Sequence, residues 1–311
     1  MEILSTAGRD DIAKVYVAKT GVNKIIEFVE SVQPPIPRKI KWVLIVSTLY
    51  GCPVNCSICD AGGDYGGRIS YEDILSQIDY LVMKRYPNRK VPVKKFKVQF
   101  ARMGEPAFNE NVLSVLRDLP EMYDAPGLIP CISTVAPTGC EKFFQDLLHL
   151  KKDMFPEKFQ LQFSLHSTDP DVRDRIIPVK KWNFRDISEY GEKFYDRGGK
   201  KITLNFAFSE SIPVDINTLL ALYPAKYFFI KVTPVNPTKT ALDNGFDMKF
   251  PFQRAEKFIQ KLKKYGYESM LSIGELEENK IGSNCGMYAS KFNETDKFPL
   301  ESYSYTLKTI L

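Results

Sequence analysis

The sequence has few histidines. It also lacks long apolar runs and the glycine pattern of dinucleotide-binding folds. Its 311 residues include only two histidines, so a histidine-rich metal centre is excluded by count. No apolar run approaches the roughly 18 residues of a membrane span, and the first residues lack the basic-then-apolar order of a secretory signal. No Gly-x-Gly-x-x-Gly motif follows the first strand of the predicted barrel, which argues against a nicotinamide-binding fold. We therefore expect a cytoplasmic protein that does not act at a membrane.

The composition is that of an ordinary globular protein. Hydrophobic residues make up 44% and charged residues 26% of the chain, which excludes a disordered or fibrous protein. The net charge of +5 suits an anionic ligand, but many solvated surfaces carry as much charge. Composition alone therefore does not require a nucleic-acid partner.

Apolar, β-branched segments alternate with helical patterns from residue 41 onward. This alternation predicts right-handed βαβ units and a parallel sheet. We predict an α/β fold, a partial (β/α)6 barrel over residues 41–290, with an N-terminal β extension (1–40) and a C-terminal tail (291–311). The extension is expected to contain a strand pair. The predicted strands that follow cover residues 41–48, 95–100, 129–135, 159–165, 201–208, 227–232 and, more weakly, 268–273.

Three of the six cysteines lie within eight positions. Cys52, Cys56 and Cys59 follow the first predicted barrel strand, and ligands of such barrels meet the loops at the carboxyl ends of the strands. A cubane iron–sulfur cluster normally takes four cysteine ligands, so three local thiolates leave one iron open to chelate S-adenosylmethionine. A closed structural zinc site is the alternative, but it needs four ligands, usually as two cysteine pairs. Chance clustering of buried thiols is a further alternative.

The Cys-x3-Cys-x2-Cys loop resembles the signature of the radical S-adenosylmethionine superfamily. Further segments resemble one branch of it, the RlmN/Cfr-type radical methyltransferases of RNA adenine. The likeness covers residues 41–290 in consistent order. Its segments are the approach to the cysteine loop (46–52), Met-Gly-Glu-Pro (103–106) with Asn109, Ser-Leu-His (164–166), an Arg-Asp-Arg-Ile-Ile-Pro run (173–178), Pro-Val-Asn-Pro (234–237) and Asn-Cys-Gly (284–286).

The resemblance implies a [4Fe-4S] cluster and S-adenosylmethionine as cofactors, with an external electron donor such as flavodoxin or ferredoxin. It implies that Cys285 is the cysteine that becomes methylated, and that Glu27 matches an acidic residue facing the substrate. Glu105 is expected to accept hydrogen bonds from the ammonium group of the cofactor. The remaining expected cofactor contacts are Gly104, Ser133, Ser164, Leu165, His166 and Asn236. Each is also explicable as a turn, a capping hydroxyl or a structural histidine.

Two departures from the family pattern bear on the reaction. The position of the family's second, resolving cysteine is Ile45 here, which is chemically inert; Cys131 or Cys140 is a possible spatial substitute. The family also has a substantial N-terminal RNA-binding domain, whereas about forty residues precede the first predicted barrel strand. We therefore expect weak binding to large structured RNA.

The sequence thus predicts a radical S-adenosylmethionine enzyme with methyltransferase-like chemistry at Cys285. A small molecule, peptide or nucleoside is the favoured substrate. Two alternatives remain: an RNA adenine methyltransferase of the RlmN/Cfr type, and a non-catalytic iron–sulfur or zinc protein.

Overall fold

The computed structural model describes residues 1–247, 249–273, 276–284, 287–289, 305 and 308–309. The chain divides into two compact units. Unit 1 contains residues 1–53, 60–132 and 275–311, and unit 2 contains residues 54–59 and 133–274.

Unit 1 is built on a mixed sheet with strand order β13-β1-β2-β3-β4-β7-β8. Neighbouring strands from β13 to β4 are antiparallel, and β4, β7 and β8 are parallel. A separate antiparallel pair, β5 and β6, lies beyond the end of β4. The strands are β1 (Glu2–Arg9), β2 (Ala13–Lys19), β3 (Ile25–Ser31), β4 (Lys41–Val46), β5 (Leu49–Cys52), β6 (Gly63–Arg68), β7 (Lys95–Phe100), β8 (Leu128–Thr134) and β13 (Lys308–Thr309), and the helices are α1 (Tyr71–Arg85), α2 (Asn111–Met122) and α9 (Leu276–Ile281).

Strands β3 and β4 are buried on both faces. Because side chains alternate along a strand, Phe28 and Glu30 share one face of β3 with Trp42 of the neighbouring β4, and the indole of Trp42 donates to Glu30. Arg85 of α1 also binds Glu30, so this is the face that α1 covers. We call it the helix face.

The opposite face of β3 and β4 carries Glu27, Val29 and Ile45. Val29 lies opposite Ile45 in the strand register, and both pack in an apolar cluster with Ile281 and Tyr288. This face is therefore covered by the C-terminal part of the chain, and we call it the C-terminal face. Ile45, where the related family has a thiol, thus packs against the segment that continues from Cys285.

Unit 2 contains a parallel sheet with strand order β9-β10-β11-β12. All seven residues of β10 are buried, as expected for a central strand with helices on either side. The strands are β9 (Gln160–Ser164), β10 (Ile202–Phe208), β11 (Phe228–Pro234) and β12 (Glu268–Leu271), and the helices are α3 (Glu141–Met154), α4 (Pro170–Ile176), α5 (Phe184–Phe194), α6 (Ile216–Leu222), α7 (Lys239–Asp243) and α8 (Phe252–Lys264).

The predicted α/β class with a parallel sheet is confirmed, whereas the partial barrel and the domain boundaries stay predictions. All seven predicted strands after residue 40 are present. The sequence interpretation missed β1 and the β5–β6 pair; β6 is glycine-rich and largely exposed, so it lacks the apolar alternation that indicates a strand. In the described part of the chain, the helices are all too short or too polar to cross a bilayer.

Candidate active site

The first cysteine lies where β5 turns toward β6. Cys52 is opposite Gly63 in the strand register, and Gly51 before it has a φ of +70°. A Cβ atom on Gly51 would come within 2.6 Å of the carbonyl oxygens of Gly63 and Asp64. Glycine is therefore required for the close approach of the two strands beside Cys52.

The predicted cofactor loop after β7 is hydrogen-bonded to the segment that leads to Cys52. The N–H groups of Thr48 and Leu49 donate to the carbonyl of Met103 at 2.8 and 3.1 Å. Gly104 has a φ of +99°, and a Cβ atom there would come within 2.4 Å of Cβ of Leu49. Glu105 is 5% exposed and caps a short 3-10 turn by accepting from the N–H of Ala107. The structure thus joins two of the predicted cofactor-binding segments within unit 1.

Asn109 connects the segment before Cys52 to the residue that follows β6. Its buried side-chain amide donates to the carbonyls of Thr48 and Ile69 at 2.7 and 2.8 Å. Its oxygen accepts from the N–H of Asn111 at the start of α2. The sequence interpretation named Asn109 with the Met-Gly-Glu-Pro motif; the structure adds that it links the main chain on both sides of the cysteine loop.

The other two cysteines lie in unit 2, on a segment held by two of the family-like motifs. The N–H of Ser57 donates to the carbonyl of Ile176 at 2.9 Å, within the 173–178 run. The hydroxyl of Thr238, which follows the 234–237 motif, donates to the carbonyl of Ile58 at 3.1 Å. The N–H of Cys59 donates to the carbonyl of Cys56 at 3.1 Å. The conformation of the Cys56–Cys59 turn is therefore set by main-chain anchors that residue identity alone does not reveal.

The remaining predicted cofactor contacts of unit 2 lie at or just after strand ends. Ser133 is the penultimate residue of β8, Ser164 is the last residue of β9, and Asn236 lies two residues beyond β11. The N–H groups of Leu165 and His166 both donate to the carbonyl of Asn205 in β10. Their placement matches the expectation that ligands are met at the carboxyl ends of parallel strands, while their roles stay predictions.

His166 stays neutral at pH 7. Burial, reinforced by the charge of Arg173, lowers the pKa of His166 to about 4. Nδ1 of His166 is buried and has no hydrogen-bond partner among the described residues, and the residue has a φ of +63°. An orphaned buried nitrogen on a strained turn fits a group that hydrogen-bonds to a neutral imidazole.

A cavity of about 680 Å³ opens within unit 1. Four parts of the chain line it: the N-terminal strands, the β5–β6 region with the residues before β6, the loop after β7, and the C-terminal segment. Its lining includes Gly51, Met103, Met287, Lys19 and Lys24. The cavity thus has walls from the cysteine loop, from the loop after β7 and from the residue two positions after Cys285.

Glu27 and Arg102 form a buried ion pair, with side chains that are 0% and 1% exposed. Oε2 of Glu27 also accepts from the N–H groups of Tyr288 and Ala289. A direct role of Glu27 toward a substrate stays a prediction. Cys285 lies outside the described residues. The sequence interpretation missed Arg102, which has no motif signal of its own.

The described cysteines are compatible with the predicted chemistry one by one. None of the five forms a disulfide, and Cys52, Cys56 and Cys59 are partly exposed. No group of three His, Cys, Asp or Glu side chains in the described ranges has the geometry of a single-ion site. That the three thiolates hold an open cluster stays a prediction.

Curated proteins similar to this chain share one description. A probable dual-specificity RNA methyltransferase RlmN from Streptomyces griseus is 26% identical over 275 residues, covering 84% of this chain and 70% of the relative. The dual-specificity RNA methyltransferase RlmN of Wolinella succinogenes is 26% identical over 264 residues, covering 79% and 70%. The chain resembles the RlmN-type radical S-adenosylmethionine methyltransferases. No family model matches it.

Solved structures support the same fold. A radical SAM methyltransferase from Sphaerobacter thermophilus superposes with a TM-score of 0.69 at 18% identity, covering 92% of this chain and 81% of its own. Streptococcus suis SuiB bound to S-adenosylmethionine gives a TM-score of 0.56 at 12% identity, covering 79% and 53%. The comparisons confirm the predicted resemblance to RlmN-type proteins and the predicted class, a methyltransferase-like radical S-adenosylmethionine enzyme with a [4Fe-4S] cluster.

Proposed function

We propose that this chain methylates a carbon atom of an adenine base in RNA, with Cys285 as the carrier of the methyl group. The observation that carries the proposal is the run of RlmN-type relatives that match 84% and 79% of the chain. The sequence interpretation favoured a smaller substrate and kept RNA as the alternative. The relatives favour RNA, because they are named RNA methyltransferases.

When bound, the cluster and S-adenosylmethionine supply methyl groups and a 5′-deoxyadenosyl radical. Cys52, Cys56 and Cys59 would hold the cluster, and Glu105 would accept from the cofactor's ammonium. The Cys285 thiolate would take a methyl group with release of S-adenosylhomocysteine, its own proton having passed to solvent. Thiolates are effective nucleophiles near neutral pH, whereas serine hydroxyls are not.

The cavity in unit 1 offers polar side chains of both charge signs to a substrate. Its charged and amide lining residues are Lys19, Lys24, Asn23, Glu2, Asp60 and Asp64. Cationic and amide side chains of this kind bind phosphate and sugar groups of nucleic acids. The same cavity is lined by Met103 and Met287, which adjoin the cofactor loop and the Cys285 segment respectively.

A second candidate is radical chemistry on a small molecule or peptide. One observation favours it: Ile45, at the position of the family's resolving thiol, packs in an apolar cluster with Tyr288. A methylated adduct on Cys285 would then lack a thiol at that position to release it.

Anaerobically reconstituted protein, a reductant and S-adenosylmethionine should be incubated separately with ribosomal RNA fragments, transfer RNA and adenosine. We expect methyladenosine in RNA, together with S-adenosylhomocysteine and 5′-deoxyadenosine. Cys285→Ser should keep the cluster and still cleave S-adenosylmethionine without product. RNA that stays unmodified while 5′-deoxyadenosine accumulates would contradict the RNA proposal and favour the second candidate.

A further inference from the structure

We propose that Glu27 and Arg102 act together as positioning residues for the thiol of Cys285. The inference deepens the proposed function and rests on it, because it assigns these residues to the thiol that carries the methyl group. It gives Glu27 a role different from contact with a substrate.

Arg102 binds the main chain before Cys285. Its guanidinium donates to the carbonyls of Gly282, Ser283 and Asn284 at 2.8, 3.0 and 3.0 Å. A planar guanidinium with five donors is well suited to hold several acceptors in one arrangement. Three consecutive carbonyls directed at one side chain define the course of that stretch.

Glu27 binds the main chain after Cys285. The N–H groups of Tyr288 and Ala289 donate to Oε2 of Glu27 at 2.6 and 2.7 Å. The other carboxylate oxygen faces Arg102 in the buried ion pair. Five main-chain hydrogen bonds, three before and two after the cysteine, therefore converge on one ion pair.

Arg102 also connects residues 282–284 to the predicted cofactor loop, because it is the residue just before that loop. Arg102 immediately precedes Met103 and Gly104, and its own N–H donates to the carbonyl of Val46 at the end of β4. A buried ion pair is costly to desolvate and is poorly explained by stability alone. Charge-assisted bonds to main chain, by contrast, give directional control of position.

The test compares Glu27→Gln with Glu30→Gln, a buried carboxylate on the same strand that binds the side chains of Tyr16, Trp42 and Arg85. Glu27→Gln should raise the rate at which iodoacetamide alkylates Cys285 in cluster-loaded protein by about tenfold, as expected for the loss of one charge-assisted interaction. It should speed hydrogen exchange at Tyr288 and Ala289. It should also lower methylated product relative to 5′-deoxyadenosine. Glu30→Gln should change none of the three.

A double variant keeps the test valid if the single variants do not fold. Glu27→Leu with Arg102→Met removes both buried charges together, which is often near neutral for stability, and should loosen the segment as Glu27→Gln does. Unchanged alkylation and exchange in folded Glu27→Gln and in the double variant would overturn the proposal. Alkylation and exchange need no turnover, so failure of the proposed function would appear separately, as full activity of Cys285→Ser.

Discussion

The two faces of β3 each bury one glutamate, and the two carboxylates have partners of different kinds. On the helix face, Glu30 accepts from Tyr16 at 2.6 Å, from Arg85 at 2.6 and 2.7 Å, and from Trp42 at 3.2 Å. On the C-terminal face, Glu27 accepts main-chain N–H groups from residues more than 260 positions away.

This difference separates two uses of a buried charge. Glu30 joins α1 to the sheet through side chains that are themselves packed, so its network contributes to the stability of the unit. Glu27 instead holds main chain, and with Arg102 it determines where a segment of the C-terminal face runs. The comparison predicts that substitutions on the helix face lower the free energy of global unfolding more than substitutions on the C-terminal face do. Substitutions of Glu27 or Arg102 should mainly change the local structure of the segment that they bind.

The largest expected effect is that of Glu30→Leu. The substitution leaves Arg85 without its buried partner and strands the donors of Tyr16 and Trp42, which should cost about 3–5 kcal/mol in free energy of unfolding. Urea denaturation of the variant and the wild type measures it. A loss below about 1 kcal/mol would mean that the network behaves like an exposed ion pair.

A matched tyrosine pair sharpens the comparison. The hydroxyl of Tyr16 donates to a carboxylate, whereas that of Tyr288 donates to the carbonyl of Ile281 at 2.7 Å. Tyr16→Phe should cost about 1.5–3 kcal/mol and Tyr288→Phe about 0.5–1.5 kcal/mol, because hydrogen bonds to charged groups are stronger. Equal losses in denaturation experiments would remove the distinction between the two faces.

Lowering the pH should weaken the helix face by protonating Glu30, with a smaller effect than the substitutions above. Burial alone raises the pKa of Glu30, but hydrogen bonds from Arg85 and Tyr16 outweigh it and hold the pKa below the ordinary value of 4.5. The resulting stabilisation is present above that value and is lost as the pH falls through the lowered pKa. Unfolding free energies from about pH 6 downward should fall less steeply in Glu30→Gln than in the wild type. Parallel curves would contradict this assignment.

The smallest expected effect concerns His166, a buried group whose charged neighbour Arg173 has the same sign as the protonated imidazole. Because burial and Arg173 lower its pKa to about 4, its ring signals in NMR spectra should not move between about pH 6 and 8. His149→Gln assigns the signals by leaving only those of His166. A His166 signal that titrates near pH 6.5 would show that the ring is solvated.

Sequence reasoning found the parts of the fold whose signal is local. The strand at 95–100 alternates polar and apolar residues, and the strand predicted at 201–208 is a mostly apolar run; both patterns are typical of strands. The pair β5–β6 was missed because glycine and exposed polar residues leave no periodicity. The prediction of the cluster ligands likewise rests on a local signal, three thiols within eight positions.

By itself, the sequence determined the resemblance that indicates the enzyme class and the positions of most strands along the chain, because residue type and spacing encode these locally. Only the tertiary structure decided the partners of Glu27 and Arg102, the anchoring of Ser57 by Ile176, and the packing of Ile45 against Tyr288. These contacts join residues that are distant in sequence, and they depend on which face of a strand a side chain occupies. A main-chain carbonyl or N–H group is the same at every residue apart from proline, which lacks the N–H, so a site built on main-chain partners leaves no mark in the sequence.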